Sequence, residues 1–405
     1  MTGSATGPGT ELPVTTGGPV RHLTGLTVVD VCRAETRKAS VTLSRGRIVA
    51  LDEPAPEGAE IIDLDGCWAT PSFVDMHAHV TFEPRIHDGV IGFDFDEQPE
   101  VGGLRAVQNL TEALRNGICL VRDLGGRAPH IAEAKRHVAS GHILLPELVT
   151  SGEPLCLPGG HGSVFGQHLP QGTIDELLER QTAAGHEWLK IMNGPELWPA
   201  DELARIIQSA HRAGVLTAVH AFTPDGIGAA VRAGATTVEH GMVAEADLIA
   251  EANARSTVFV PTSYCSWISL RARFVVSQPA HEVAILDYWH AYLEECRPAH
   301  IAGRLPVLVG TDAGCAPCSF DDYVDELIRF QRWGIAPMEV IRNATIRAAE
   351  CLGRGASFGS IDVGKWANLV VTEHDPTVSP TALRHPTLVL FKGSSVVNAL
   401  GERWP

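Results

Sequence analysis

The chain has 405 residues, 44% of them hydrophobic and 20% charged, which supports a large folded core and excludes a disordered polypeptide. Its 32 Lys and Arg face 48 Asp and Glu, a net charge of −16. That field repels phosphate backbones and anionic lipid, so nucleic-acid and membrane partners are not expected. Residues 1–20, rich in Gly, Thr and Pro without an apolar stretch, read as a flexible tail rather than a secretory signal. Residues 21–70 then read as short strands and turns, with strands at 26–30, 40–44, 48–51 and 61–64. A second strand-rich piece closes the chain at 367–372, 387–391 and 395–398. The two β-rich ends, 21–70 and 357–405, are expected to join into one small β domain.

Between them, residues 71–356 alternate strand and helix, as parallel βα units do. Strands are predicted at 119–123, 147–151, 188–192, 215–220, 236–240, 258–262 and 307–312. Thr173-Ile-Asp-Glu176 is a capping box opening a helix whose Ile174, Leu177, Leu178 and Gln181 follow helical spacing. Leu203, Ile206, Ile207 and Ala210 mark another helix, and two more run to about 233 and over 246–254. About eight such units at this length point to a closed (β/α)8 TIM barrel carrying the small β domain as a sandwich. No Gly-x-Gly-x-x-Gly follows a strand, which argues against dinucleotide binding.

The chemistry centres on Val74-Asp-Met-His77-Ala-His79. Two imidazoles two residues apart on an extended segment share one face, at the end of a buried strand. Lys190, His220, His240 and Asp312 each end a strand of their own. A barrel brings such ends to one mouth. Four imidazoles and a carboxylate satisfy zinc or a close relative, with ligands to spare for two divalent ions. A protonated Lys190 would be repelled by dications, but a buried amine sheds its proton. The neutral amine can add carbon dioxide, and the carbamate oxygens can bridge a metal pair. Tyr264, just past the 258–262 strand, reads either as a donor to a substrate carboxylate or as a rim tyrosine. Arg122-Asp123 reads as a structural ion pair, Cys315-Ala-Pro-Cys318 as a coincidental pair, and Trp188, Trp198, Trp267 and Trp289 as packing. Nine cysteines, odd in number and scattered, suit reduced cytoplasmic thiols.

The ordered set Val74–His79, Val121-Arg-Asp-Leu-Gly-Gly126, Trp188-Leu-Lys-Ile-Met192, Ala210-His-Arg-Ala-Gly214, Ala218-Val-His-Ala221, Val238-Glu-His-Gly241 and Gly310-Thr-Asp-Ala-Gly314 resembles the amidohydrolase superfamily. It is most similar to the imidazolonepropionase-related, prolidase-like branch. Ile361-Asp-Val-Gly-Lys-Trp-Ala-Asn-Leu-Val370 resembles the strand returning to that family's small β domain. The resemblance implies His77, His79 and Asp312 on one metal, His220 and His240 on the other, and carboxylated Lys190 between them. Pro158-Gly-Gly-His161-Gly162 resembles a loop whose histidine meets substrate; a solvent histidine is the alternative. Asn193-Gly-Pro-Glu-Leu-Trp198 and Cys315-Ala-Pro-Cys-Ser-Phe320 depart from the family's pattern, and both follow ligand-bearing strands.

The function expected is therefore a cytoplasmic binuclear-metal hydrolase, zinc preferred, that cleaves an amide bond by attack of a metal-bridged hydroxide. Asp312 would shuttle the proton, with His161 as a second catalytic or substrate-contacting residue. The substrate would be a small molecule or peptide: an Xaa-Pro or other dipeptide, an N-acyl amino acid or a modified peptide. A homo-oligomer is compatible with this reading. Alternatives are a cyclic-amide hydrolase or deaminase on the same site, follower-peptide removal in a bottromycin-type pathway, and a catalytically silent scaffold. The scaffold predicts a broken ligand set, and all six positions are intact.

Overall fold

The computed structural model describes residues 18–83, 86–87, 90–91, 97–163, 166–167, 173–194, 196–241, 245–271, 305–315, 317–401 and 404. Most of the 1–20 tail, and Trp289, lie outside the described residues.

Seven parallel strands and one irregular segment form a closed ring. In order they are Phe73–Ala78, Ile118–Asp123, Glu147–Thr150, Trp188–Met192, Leu216–His220, Thr237–Glu239 and Val258–Val260, then residues 307–313. Ladders join the first three strands and the next four. Leu155 bridges the two groups, donating to the Lys190 carbonyl at 2.8 Å and accepting from the Met192 amide at 2.9 Å. Val307 pairs with Phe259, and Ala313 pairs with Ala78, which returns the ring to its first strand. This is the (β/α)8 barrel expected.

The sequence suggests a regular strand over 307–312, but the structure holds that stretch by isolated bridges and single hydrogen bonds. Met76 donates to the Val309 carbonyl at 3.0 Å, and Asp312 to the His77 carbonyl at 2.7 Å. Asp75 replaces the missing ladder. Its carboxylate accepts from the Thr311 amide at 3.1 Å, the Thr311 hydroxyl at 2.6 Å and the His77 amide at 3.0 Å.

Helices pack outside the ring. Thr173 and Glu176 form the expected capping box at the head of Ile174–Ala183. The helix Ala200–Arg212 buries Leu203, Ile206, Ile207 and Ala210, the stripe its sequence spacing dictates. Pro99–Arg115, Ala128–Ser140, Tyr323–Arg332, Pro337–Ala344 and Ile346–Cys351 complete the described helices of the C-terminal and early barrel.

The chain ends meet as expected. Leu369–Thr372 lies antiparallel to Trp68–Pro71 in a six-stranded sheet that also holds Thr27–Asp30, Glu35–Lys38, Leu388–Phe391 and Ser394–Asn398. A four-stranded sheet of Arg21–Thr24, Val41–Ser44, Arg47–Leu51 and Glu60–Asp63 faces it. Leu23, Val28, Val41, Ile48, Leu369 and Leu388 share the core between them, a small β-sandwich.

Gly310 sits where the irregular segment crosses the first strand. A Cβ there would lie 2.5 Å from Val260 Cγ1, 2.8 Å from His77 Cβ and 2.9 Å from His77 N. Gly310→Ala should therefore push the first strand outward and cost about 1–3 kcal/mol of stability. Urea unfolding of the two proteins checks this, and an unchanged midpoint would show that the strand has room to give.

Candidate metal centre

All six predicted ligands come to the C-terminal mouth of the ring. His77, His79, Lys190, His220 and His240 are buried, and the Asp312 side chain is 14% exposed at the rim. The imidazoles form a row. His79 and His77 have ring centroids 5.5 Å apart, His77 and His240 4.7 Å, and His240 and His220 4.7 Å. Exposed His161 extends the row, stacked on His220 at 4.9 Å. Two phenylalanines bracket it: Phe82 stacks on His79 at 4.9 Å, and Phe222 meets His220 edge-on at 4.1 Å.

Asp312 Oδ1 lies 3.3 Å from the Nε2 atoms of both His77 and His79. Lys190 Nζ reaches to 3.4 Å from His77 Nε2. One ligand atom from each of His77, His79 and Asp312 falls within 4.8 Å of the others. The backs of the rings are held. His79 Nδ1 donates to the Gly125 carbonyl at 2.7 Å, and His240 Nδ1 meets Thr262 Oγ1 at 2.7 Å. Since a carbonyl only accepts, His79 carries a proton on Nδ1, which leaves Nε2, facing Asp312, as the nitrogen available to a metal. Asp312 Oδ1 and His220 Nε2 are buried without a hydrogen-bond partner. Leaving such an atom unmatched costs about 1–3 kcal/mol, and a divalent cation removes that cost. The donor set, nitrogen and carboxylate oxygen, suits zinc and its neighbours.

Electrostatics agree. Burial first, then the like charges of neighbouring rings and Lys190, hold His220 well below its usual range. Burial likewise lowers Lys190, although Glu239 and Asp312 oppose it. Burial pushes Asp312 up, but the imidazoles of His77, His79 and His240 outweigh it and hold the carboxyl below its usual range.

Tyr264 lies in the first turn of the helix Ser263–Arg271. Its ring packs 5.7 Å from Trp267, and its amide donates to Glu326 at 2.6 Å. Burial, then the charges of Asp322 and Asp325, raise its phenol to about 12. The expected pairing of Arg122 with Asp123 is corrected. Adjacent strand residues point to opposite faces, and Arg122 crosses the barrel to Glu239 at 3.0 Å, while Asp123 accepts from the Val80 amide at 2.8 Å and the Gly125 amide at 3.0 Å. Glu239 is the site-adjacent residue that sequence reasoning overlooked. Its Oε2 meets His77 Nδ1 at 2.8 Å, and its signal was the acid inside Val238-Glu-His-Gly241. The eight described cysteines, Cys315 and Cys318 among them, are all free. Among the described residues no helix is long and apolar enough to cross a membrane.

Comparison with known proteins places this geometry in context. The signature of the Amidohydrolase family matches residues 68–398. An ochratoxinase of Aspergillus niger is 25% identical over 380 residues, covering 80% of this chain and 76% of that protein. An uncharacterised protein of Mycobacterium tuberculosis is 26% identical over 351 residues, 83% of this chain and 87% of the other. The crystal structure of a Xaa-Pro dipeptidase with methionine in its active site superposes with a TM-score of 0.81 at 19% identity, covering 93% of this chain and 99% of that one.

Acid should unfold the metal-free protein early. Burial, then the Lys190 charge, lowers His77 from 6.5 to about 4. Between those values the unfolded chain binds the proton and the folded one does not, so stability present above about 6.5 is lost as pH falls toward about 4. For His77 alone the loss is about 3 kcal/mol. Thermal unfolding of chelator-stripped protein across that window checks this; a flat melting temperature would contradict it.

Proposed function

Since the chain belongs to the amidohydrolase family, as the match over residues 68–398 establishes, we propose that it is a binuclear-metal hydrolase of amide bonds whose leaving side carries a carboxylate. One observation carries this reading: His77, His79 and Asp312 each bring a ligand atom within 4.8 Å of the others, the rings of His240 and His220 continue the row, and Asp312 Oδ1 and His220 Nε2 are unmatched. His77, His79 and Asp312 would hold one ion, His220 and His240 the other. The bound ions would supply Lewis acidity and a water acidified toward pH 7.

Lys190 is suited to join the two sets. Its amine is buried, lowered in pKa and 3.4 Å from a ligand nitrogen. Unprotonated, the nitrogen attacks carbon dioxide, an N–C bond forms and a proton leaves to solvent. The product has two oxygens sharing one negative charge where the bare amine had none. Asp312, ionised and at the rim, takes the proton of the attacking water and delivers it to the leaving nitrogen. His161, exposed and stacked on His220, is the group we assign to substrate. A dipeptide presents a carboxylate on its leaving residue, and the likeness to a Xaa-Pro dipeptidase supports that class. Xaa-Pro dipeptides, other dipeptides and N-acyl amino acids share this feature.

Metal analysis of zinc-grown protein should approach two equivalents per chain. Lys190→Ala should lose metal and activity, with partial rescue by short carboxylic acids that restore the missing oxygens. A reproducible single equivalent in the wild type would overturn the binuclear reading.

On a panel of dipeptides and N-acyl amino acids, product analysis should find a new carboxylate and a freed amine. Asp312→Asn should keep the fold and lose about 10²–10⁴-fold in kcat. Turnover of the panel at the wild-type rate by that variant would assign the shuttle elsewhere, and ammonia release in place of amide cleavage would favour deamination.

A further inference from the structure

Behind the ligands lies a buried chain of polar groups that neither binds the ions nor meets substrate. Arg122, on the second strand, and Glu239, on the sixth, are both fully buried and join directly across the barrel. Arg122 Nη2 donates to Glu239 Oε1 at 3.0 Å and Oε2 at 3.1 Å. Its Nη1 donates to Thr237 Oγ1 at 3.0 Å, and its Nε donates to the Met76 carbonyl at 2.5 Å, one residue before His77. The Thr237 hydroxyl donates in turn to Glu239 Oε1. The guanidinium lies 4.4 Å over the ring of Trp188, two residues before Lys190 on the same strand. Glu239 itself precedes His240. Thus one buried pair touches the strands that carry four of the six ligands.

We propose that Glu239 is a positioning residue that selects which nitrogen of His77 faces the metal, and that Arg122 holds it in that role. The inference rests on the metal-binding reading above. With both oxygens accepting from Arg122, Glu239 Oε2 confronts His77 Nδ1 as an acceptor at 2.8 Å. Nδ1 therefore donates, and the neutral ring keeps Nε2 bare, facing Asp312 Oδ1 at 3.3 Å. A carboxylate behind an imidazole also strengthens the ring as a ligand. A glutamine at 239 has one acceptor where Glu has two. Its amide NH2 must oppose Arg122, His77 or both. Where it faces His77, Nδ1 becomes the acceptor and Nε2 carries the hydrogen that blocks coordination.

The test is zinc competition against a chelator, with the full-length wild type, His79→Ala, Glu239→Gln, Arg122→Met and the Arg122→Met/Glu239→Met double variant, whose side chain at 239 has no acceptor. The zinc equivalent that His79→Ala abolishes should weaken by roughly 10–100-fold in Glu239→Gln. The double variant separates positioning from packing. It removes both buried charges, so no lone charge is left in the core and the melting temperature should recover relative to either single variant. Zinc affinity should stay low, because nothing accepts from His77 Nδ1. A double variant that regains both stability and wild-type zinc affinity overturns the proposal, as does a folded Glu239→Gln that binds zinc like the wild type. If Glu239→Gln fails to fold, the double variant alone decides. A wild type that takes no zinc overturns the metal reading and this inference with it.

Discussion

A row of imidazoles whose inward nitrogens converge on one carboxylate oxygen can be packed in a protein only if positive charge is shared among them. His77 and His79 both bring Nε2 to within 3.3 Å of Asp312 Oδ1. At that separation two lone pairs and an anion repel unless protons or cations lie between them. Protons are a poor answer here, because burial drives His77, His220 and His240 toward the neutral form. Cations remain. The rest of the barrel mouth suits that requirement: His77 and His79 are held from behind, burial lowers the pKa of the Lys190 amine, and Phe82 and Phe222 pack against the row.

The scaffold accepts local strain to build this mouth. His240, Thr262 and Asp312 have φ of 61°, 46° and 62°, left-handed values that non-glycine residues seldom adopt and a β-branched residue almost never. Each costs on the order of 1–3 kcal/mol. The strain persists because neighbouring contacts over-determine it. The His240 amide donates to Val260 at 2.9 Å, its ring meets Thr262, and the Asp312 amide donates to His77 at 2.7 Å. Turning the backbone this way bends the strand ends inward, so that ligands from the first, sixth and eighth positions of the ring can meet. A relaxed β conformation at Asp312 would carry the carboxylate past the row.

Much of this was legible in the sequence because it depends on periods of two and about 3.6. Alternation put His77 and His79 on one face, and βα spacing put His220 and His240 at strand ends, whereas Lys190 lies in the middle of Trp188–Met192 and Asp312 ends no regular strand. The helix 200–212 buried the four residues its pattern named. What escaped was set by contacts across the ring, which no local period encodes. Arg122 looked like a partner for its neighbour Asp123, although alternation on a strand already argued against it; the true partner lies 117 positions away. The strand Glu35–Lys38 was missed because an edge strand of Glu, Thr, Arg and Lys has no apolar face to betray it. The stretch 307–312 reads as a regular strand from composition, yet it pairs only through isolated bridges and Asp312 turns to a positive φ. The cost of that irregularity is met by Asp75, whose carboxylate supplies the bonds that the ladder lacks.

The acidity of the chain and an anionic substrate are compatible once charge is counted locally. The net charge of −16 is spread over the whole sequence. With two divalent ions bound as proposed, the mouth gains four positive charges, and Asp312 with a carbamate at Lys190 returns two. The centre is then strongly positive inside low-dielectric walls, which focus its field outward while surface charges are screened within about 8–10 Å. A carboxylate approaching the mouth meets that field before it meets any side chain. Burial, with the charges of Asp322 and Asp325 beside it, keeps the Tyr264 phenol protonated and so a donor. His161 lies at the end of the imidazole row, and its amide donates to Glu196 at 3.2 Å, on the stretch that departs from the family pattern. Under the proposed function, attraction to the site would fall to the ions, and selection within it to the 158–162 loop and Glu196, which holds that loop.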